Sequence, residues 1–166
     1  MKKESELNEE NKIINNRRDF VKTGALATAA FLIIPRHVMG RGFVAPSDRL
    51  QIASIGVGGQ GAHDVRKIYE SKKSDIAFLC DVDSRRAAYS VKAHPKAKFY
   101  KDWREMLDKE HKNFDAVSVS TPDHSHAIQA LAAMQLGKHV YVEKPLAHDI
   151  YEARILTQAA KKYKVV

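Results

Sequence analysis

The sequence predicts an α/β fold built on a doubly wound parallel sheet. Short apolar segments that fit buried strands alternate along the chain with longer segments of helical periodicity, and this alternation is typical of successive βαβ units. A glycine-rich turn joins the first strand segment to the helical segment that follows it. The chain has 166 residues, 44% of them hydrophobic, which suffices for one domain with its own core and a short appendage.

Each element is predicted from an apolar run or a helical pattern bounded by residues that favour turns and caps. Ser84, Asp102 and Asp149 are predicted helix N-caps. Val165–Val166 would begin a sixth strand, so we expect the sequence to be incomplete relative to a working enzyme. The predicted strands are 50–57, 75–80, 98–100, 115–120 and 139–142, and the predicted helices are 60–71, 84–93, 102–107, 125–136 and 150–163.

The turn after the first strand has the pattern Gly-x-Gly-x-x-Gly, which is typical of dinucleotide-binding domains. The first glycine allows the tight turn, the second lets the main chain approach a diphosphate, and the third lets the helix pack on the strand. Free N–H groups at the helix start then face the phosphates. The alternative is a tight turn that binds no ligand. The predicted cofactor-binding residues of this loop are Gly56, Gly58, Gly59, Gln60 and Gly61.

An acidic residue follows the second predicted strand at the spacing that this motif requires. Asp81 lies twenty residues after Gly61, and its carboxylate can accept hydrogen bonds from a ribose 2′-hydroxyl. Arg85 and Arg86 could contact a 2′-phosphate, but Asp81 would repel it. The sequence therefore favours NAD as the cofactor over NADP.

The first forty residues have the organisation of an export signal. A polar, charged stretch ends at Arg17-Arg18, and the apolar run 23–34 is too short to span a bilayer as a helix. The paired arginines, with Phe20 two residues later, resemble the twin-arginine export motif. We expect residues 1–40 to be a twin-arginine signal peptide read by that export machinery, 41–49 a linker, and the protein periplasmic or otherwise exported. An uncleaved anchor or an unstructured tail is the alternative.

Composition excludes several other classes of function. The formal net charge is +8, yet the basic residues are scattered and form no stripe interleaved with aromatic residues, so no nucleic-acid partner is expected. Cys80 is the only cysteine and lies in an apolar strand, which indicates a buried, unreactive thiol. The sequence has no zinc-type spacing, and no metal site or stable membrane span is predicted.

Three segments together resemble the Gfo/Idh/MocA family of NAD(P)-dependent oxidoreductases. They are Gly56 to Gly61, the run Thr121-Pro122-Asp123-His124-Ser125-His126, and the run from Gly137 to Pro145 that contains Glu143-Lys144-Pro145. The Glu-Lys-Pro triplet is the most diagnostic. The resemblance covers residues 50–166 and implies a Rossmann-like dinucleotide-binding domain.

The resemblance also implies roles for residues after the fourth and fifth strands. Thr121 and Pro122 would line the nicotinamide side. Glu143 and Lys144 would lie near the nicotinamide ring and the sugar, with Lys144 as the catalytic residue that moves a proton or orients the substrate. His126 matches the family's histidine and is a candidate substrate contact. Asp123 departs from the family, which usually has Asn there.

The resemblance implies an exported sugar or polyol dehydrogenase that transfers hydride between a carbohydrate hydroxyl carbon and nicotinamide, and that is homo-oligomeric at full length. The family's C-terminal substrate domain would follow Val166, so these residues alone are expected to bind dinucleotide and to turn over little. The alternatives are an NAD-dependent glycosidase of the same superfamily and a truncated nucleotide-binding module without catalysis.

Overall fold

The computed structural model describes residues 48–166. The predicted signal peptide 1–40 and most of the predicted linker 41–49 lie outside the described residues. Within residues 48–166, no helix combines the length and the apolar character needed to cross a bilayer.

Five strands and five helices alternate along the described chain, as the sequence predicts. A single 3₁₀ turn (Asp123–Ser125) precedes the fourth helix. The strands are β1 (Leu50–Ile55), β2 (Ser74–Cys80), β3 (Lys98–Tyr100), β4 (Ala116–Val119) and β5 (His139–Val142), and the helices are α1 (Gln60–Glu70), α2 (Ser84–Ala93), α3 (Trp103–Glu110), α4 (His126–Gln135) and α5 (Ile150–Tyr163).

The five strands form one parallel sheet in the order β3-β2-β1-β4-β5. The chain first moves outward from β1 to β3 and then returns to β4 on the other side of β1. The order therefore reverses between β1 and β4, and such a switch point opens a crevice at the carboxyl ends of the strands. Ile55, at the end of β1, is in register with Cys80 of β2 and Val119 of β4, so the segments that follow these three strands leave the sheet side by side.

Helices cover both faces of the sheet, which confirms the predicted doubly wound architecture. On one face, α1 and α2 pack on β1 and β2 through a cluster that includes Val57, Val65, Leu79 and Ala87. On the other face, a second cluster joins α3 and α4 to the sheet, and a third joins α4 to α5. Cys80 lies in the second cluster with 2% of its surface exposed, and burial raises the pKa of its thiol to about 12. The prediction of a buried thiol is confirmed.

Several predicted boundaries were wrong by a few residues. β1 ends at Ile55 rather than residue 57, because Gly56 turns the chain with φ of +78°. Asp83, not Ser84, caps α2, since its side chain accepts the N–H of Arg85. α3 continues to Glu110, three residues further than expected. Val165–Val166 forms no regular strand, although the N–H of Val140 donates to the Val166 carbonyl at 2.7 Å.

One largely buried acid fastens β3 to α3. Lys98 Nζ donates to Glu110 Oε1 at 2.6 Å, the Tyr100 hydroxyl donates to the same oxygen at 2.5 Å, and Asn113 Nδ2 donates to Oε2 at 2.9 Å. These donors, Lys98 foremost, lower the pKa of Glu110 to about 2 from an ordinary 4.5. The ionised carboxylate therefore stabilises the fold.

We predict that Glu110→Gln destabilises the domain near neutral pH and that the loss shrinks in acid. Because the pKa of Glu110 is lower in the folded than in the unfolded state, its contribution is complete above about pH 4.5 and disappears as the pH falls toward about 2. Urea unfolding at about pH 6 and about pH 3 measures the difference in free energy of unfolding. Glu105→Gln, which breaks an exposed pair with Lys109, is the control and should change little at either pH. An equal loss for Glu110→Gln at both pH values would contradict the prediction.

Candidate cofactor-binding site

The glycine-rich loop is a place where three stretches of main chain come too close for side chains. A Cβ on Gly61 would lie 1.7 Å from the Gly56 carbonyl oxygen, and a Cβ on Gly56 would lie 2.7 Å from the Ser120 carbonyl oxygen. A Cβ on Gly58 would lie 2.8 Å from the Cβ of Arg86. The end of β1, the start of α1 and the end of β4 can therefore meet only because these positions are glycines.

Helix α1 begins without a side-chain cap. Its N-cap residue is Gly59, with φ of +55°, and its first turn contains no acidic residue. By contrast, α2, α3 and α5 each begin at an aspartate whose carboxylate accepts a main-chain N–H, namely Asp83, Asp102 and Asp149. The first turn of α1 thus keeps N–H donors and the positive end of the helix dipole for an anionic ligand.

Asp81 joins the end of β2 to the glycine-rich loop. Its Oδ2 accepts the N–H groups of Val57 and Gly58, each at 3.0 Å, and its Oδ1 accepts the N–H of Asp83 at 2.9 Å. A carboxylate offers about four lone-pair directions, so these three bonds leave one on Oδ1. Asp81 therefore orders the loop and still has an acceptor to offer to a hydroxyl.

Two further polar residues, Asp64 and Ser90, which the sequence did not predict, fix the loop through three hydrogen bonds. Asp64 on α1 is 8% exposed, and its Oδ2 accepts the Ser120 hydroxyl at 2.7 Å while its Oδ1 accepts the side-chain amide of Gln60 at 2.9 Å. The buried hydroxyl of Ser90 donates to the Val57 carbonyl at 2.6 Å. The sequence did contain a signal for Asp64, since this acid lies next to Val65 on the side of the helical pattern that faces the core. The signal for Ser90 was weaker, because its partner is a carbonyl 33 residues away.

The residues predicted for the nicotinamide side follow β4 and β5, and the structure brings them together at the same edge of the sheet. The Thr121 hydroxyl donates to Oε1 of the buried Gln129 at 2.8 Å. The N–H of Glu143 donates to the Val119 carbonyl at 2.9 Å, and Glu143 Oε2 accepts the N–H of Lys144 at 3.0 Å. Lys144 is exposed, and its peptide bond to Pro145 is cis.

His126 differs from the expected substrate contact. Only 1% of the residue is exposed, and both ring nitrogens face main-chain carbonyl oxygens: Nδ1 lies 2.8 Å from that of Pro145, and Nε2 lies 2.6 Å from that of Thr121. In this arrangement neither nitrogen is available to a substrate. The ring instead links the segment after β4 to the segment after β5.

The nearby Asp123 carboxylate lies at the surface beside two histidines. Its Oδ2 lies 3.4 Å from His148 Nδ1, and its Oδ1 accepts the N–H of His124 at 2.8 Å. These contacts, that of His148 foremost, lower the pKa of Asp123. Within residues 48–166, no group of three potential ligand side chains is arranged to hold a metal ion.

The loop, α1 and Asp81 together suit a dinucleotide. A diphosphate needs close main chain, free N–H groups and no acidic residue in the first turn of the helix. The glycines supply the close main chain, and the start of α1 at Gly59 and Gln60 meets the other two conditions. A ribose hydroxyl needs an acceptor beside the loop, which Asp81 supplies. A Cβ on Gly59 would lie 3.4 Å from Arg86 Nη2, so one guanidinium stands next to this position.

Comparison with known proteins agrees with this geometry. A glycosyl hydrolase family 109 protein of Shewanella pealeana is 28% identical over 89% of the chain and 37% of its own length. The crystal structure of myo-inositol 2-dehydrogenase from Lactobacillus plantarum matches 69% of this chain and 34% of that one, with a TM-score of 0.63 and 26% identity. UDP-N-acetylglucosamine 3-dehydrogenase from Acidithiobacillus ferrooxidans matches 71% and 36%, with a TM-score of 0.59 and 31% identity.

These proportions show that the chain spans about 37% of the length of the curated relatives it matches. Residues 50–166 match the family model of the Gfo/Idh/MocA oxidoreductases, which describes their NAD-binding Rossmann fold. The chain therefore belongs to the Gfo/Idh/MocA oxidoreductase family, and residues 50–166 form its NAD-binding Rossmann domain.

Proposed function

We propose that the protein is an NAD-dependent oxidoreductase that acts on a hydroxyl group of a sugar or polyol. The observation that carries the proposal is the meeting, at the carboxyl edge of one sheet, of a dinucleotide loop with the paired segments around Thr121 and Lys144. Two solved relatives are named as dehydrogenases of myo-inositol and of a nucleotide sugar, which supports a substrate rich in hydroxyl groups.

The two halves of NAD would lie on opposite sides of the switch point. The loop of Gly56, Gly58, Gly59, Gln60 and Gly61 would hold the diphosphate by its close main chain and by the N–H groups of Gly59 and Gln60. The N–H groups of Gly56, Gly58 and Gly61 bond Cys80, Asp81 and Gly58 respectively, and the Gln60 side chain bonds Asp64. Asp81 would accept a bond from the adenosine ribose. The nicotinamide side would be lined by Thr121, Pro122, Glu143 and Lys144.

Oxidation of a carbinol carbon releases one hydride and one hydroxyl proton. Bound NAD would supply the hydride acceptor at C4 of its nicotinamide. Lys144 would orient the hydroxyl and take its proton or pass it to water, so that alcohol and NAD⁺ become carbonyl, NADH and a proton. Lys144 suits this role, because it is exposed on a turn that His126 links to the Thr121 segment.

A glycosidase is the second candidate, and the family 109 glycosyl hydrolases among the curated relatives favour it. In that cycle, tightly held NAD would oxidise C3 of the sugar, the glycoside would be eliminated, water would add, and the hydride would return. Net NADH would not accumulate. Incubation with free sugars and with aryl glycosides separates the two candidates, because the first releases NADH and the second releases the phenol. If neither product forms although NAD still binds, the remaining interpretation is a nucleotide-binding module without catalysis.

We also propose that the twin arginines direct export. The curated relatives align over 89% of this chain, more than residues 50–166 supply, so the similarity reaches into the N-terminal segment. Replacing Arg17 and Arg18 by lysine should retain the protein in the cytoplasm, as fractionation would show.

Periplasmic protein should carry bound NAD, and active, cofactor-free protein would contradict a captive cofactor. We expect the full-length protein to be a homo-oligomer, which light scattering would test.

We predict that Asp81→Asn weakens NAD binding by about tenfold or more, because charge-assisted bonds to the loop and to the ribose are lost. The same change should reduce discrimination against NADP, since the repulsion of a 2′-phosphate is removed while Arg86 remains. Titration of NADH and NADPH fluorescence measures both effects.

Asp115→Asn is the matched control for Asp81. The Asp115 carboxylate also accepts a main-chain N–H, that of Gln51 at 2.7 Å, but it lies at the opposite end of the strands. Its substitution should leave the dissociation constants of both nucleotides within about twofold. Unchanged NADH affinity in Asp81→Asn would contradict the proposed ribose contact.

We predict that Lys144→Ala leaves NADH affinity within about twofold and lowers turnover by about a hundredfold or more, because proton transfer is lost while the loop is untouched. Lys161→Ala, an exposed lysine on α5, is the control and should change neither. If Lys144→Ala loses affinity as strongly as Asp81→Asn, Lys144 is a binding residue and the assignment fails.

A further inference from the structure

His126 is the buried group whose geometry the proposed reaction does not use. It begins α4, is 1% exposed, and stands between the two segments that carry Thr121 and Lys144. Its ring contacts two acceptors, the carbonyl oxygens of Thr121, five residues earlier, and of Pro145, nineteen residues later. A second contact between these segments, that of His148 with Asp123 at 3.4 Å, lies at the surface, whereas the His126 ring is buried.

Both acceptors are carbonyl oxygens, which cannot donate a hydrogen bond. Contacts of 2.6 Å and 2.8 Å therefore each require an N–H on the ring. A neutral imidazole has one N–H, whereas an imidazolium has two. In either neutral tautomer, one bare ring nitrogen would face a carbonyl oxygen lone pair to lone pair.

Turning the ring over does not remove this requirement. A flip would place ring carbons where the nitrogens are, at distances well below the about 3.3–3.6 Å of C–H···O contacts. The short separations thus fit only the orientation in which both nitrogens point at carbonyls. We propose that the His126 ring is doubly protonated and donates a hydrogen bond to each carbonyl oxygen, so that it holds the Thr121 segment against the Lys144–Pro145 turn. Loss of one proton would release the turn and misplace Lys144.

The surrounding charges belong to three segments. The 3₁₀ turn carries Asp123 and His124, the turn after β5 carries Glu143, Lys144 and His148, and the start of α5 carries Asp149 and Glu152. Asp123 is engaged with His148 and with the N–H of His124, and Glu143 with the N–H of Lys144. His124 and His148 are exposed histidines in the same region, so activity alone would not identify the responsible ring. The test must observe His126 itself.

Nitrogen-15 spectra of the histidine rings, recorded from about pH 5 to about pH 8, provide that observation. We expect both ring nitrogens of His126 to carry a proton at neutral pH. When the ring loses a proton at higher pH, the main-chain amides of Thr121, Lys144 and Leu146 should shift together. One bare ring nitrogen on His126 at neutral pH would overturn the proposal, as would titration of the ring without movement of these amides.

The positioning role, which rests on the proposed function, has its own measurement. In His126→Gln, one of the two bonds is lost, so hydrogen exchange of the 143–146 turn should become faster and kcat should fall by about ten- to a hundredfold. NADH affinity should stay within about twofold. His124→Gln makes the same chemical change on an exposed ring and should alter neither. A loss of affinity equal to the loss of kcat would overturn the positioning role. If the wild-type protein has no dehydrogenase activity, the proposed function fails, but the ring spectra still decide the protonation of His126.

Discussion

The contact on which the site depends is the approach of Gly61 to the Gly56 carbonyl, with Ser120 on the far side. There is no room at this junction for even a methyl group, and interiors packed to this density cannot give way locally. The first turn of α1 is therefore fixed against both β1 and β4. Because the helix start cannot move away, its uncapped N–H groups remain aimed at the crevice where the strand order reverses.

Carboxylates that bond main-chain N–H groups or a hydroxyl then hold this junction in position. Asp81 binds the loop from β2, and Asp64 binds Ser120 from α1. Both acids have partners that are distant in sequence, and both face donors that would otherwise be unsatisfied. The first turn of α1 itself carries no acidic residue, which suits a cofactor that is itself an anion.

The other half of the site depends on a different device. Thr121 and Lys144 are exposed or half-buried residues on turns, and turns are the mobile parts of most folds. Here His126 joins the two turns behind the surface, and the Thr121–Gln129 bond fixes the first of them to α4. A rigid loop for the nucleotide and a proton-dependent link for the reacting side would let binding and turnover respond separately to pH.

The sequence alone determined the sheet, its alternation with helices, the glycine-rich loop and the acid at Asp81, because all of these follow from local periodicity and short, fixed spacings. It also placed Cys80 in the core, since an apolar strand between two helices has no exposed face. Ends of elements were less certain: the cap at Asp83 and the extension of α3 to Glu110 depend on hydrogen bonds that a hydrophobic pattern does not encode. Only the tertiary structure decided the partners of Asp64 and Ser90 and the place of His126, because their contacts join residues from separate segments. The sequence around a histidine next to a predicted turn is the same whether its ring points to solvent or into the protein. Only the structure shows that the His126 ring is buried between two carbonyl oxygens.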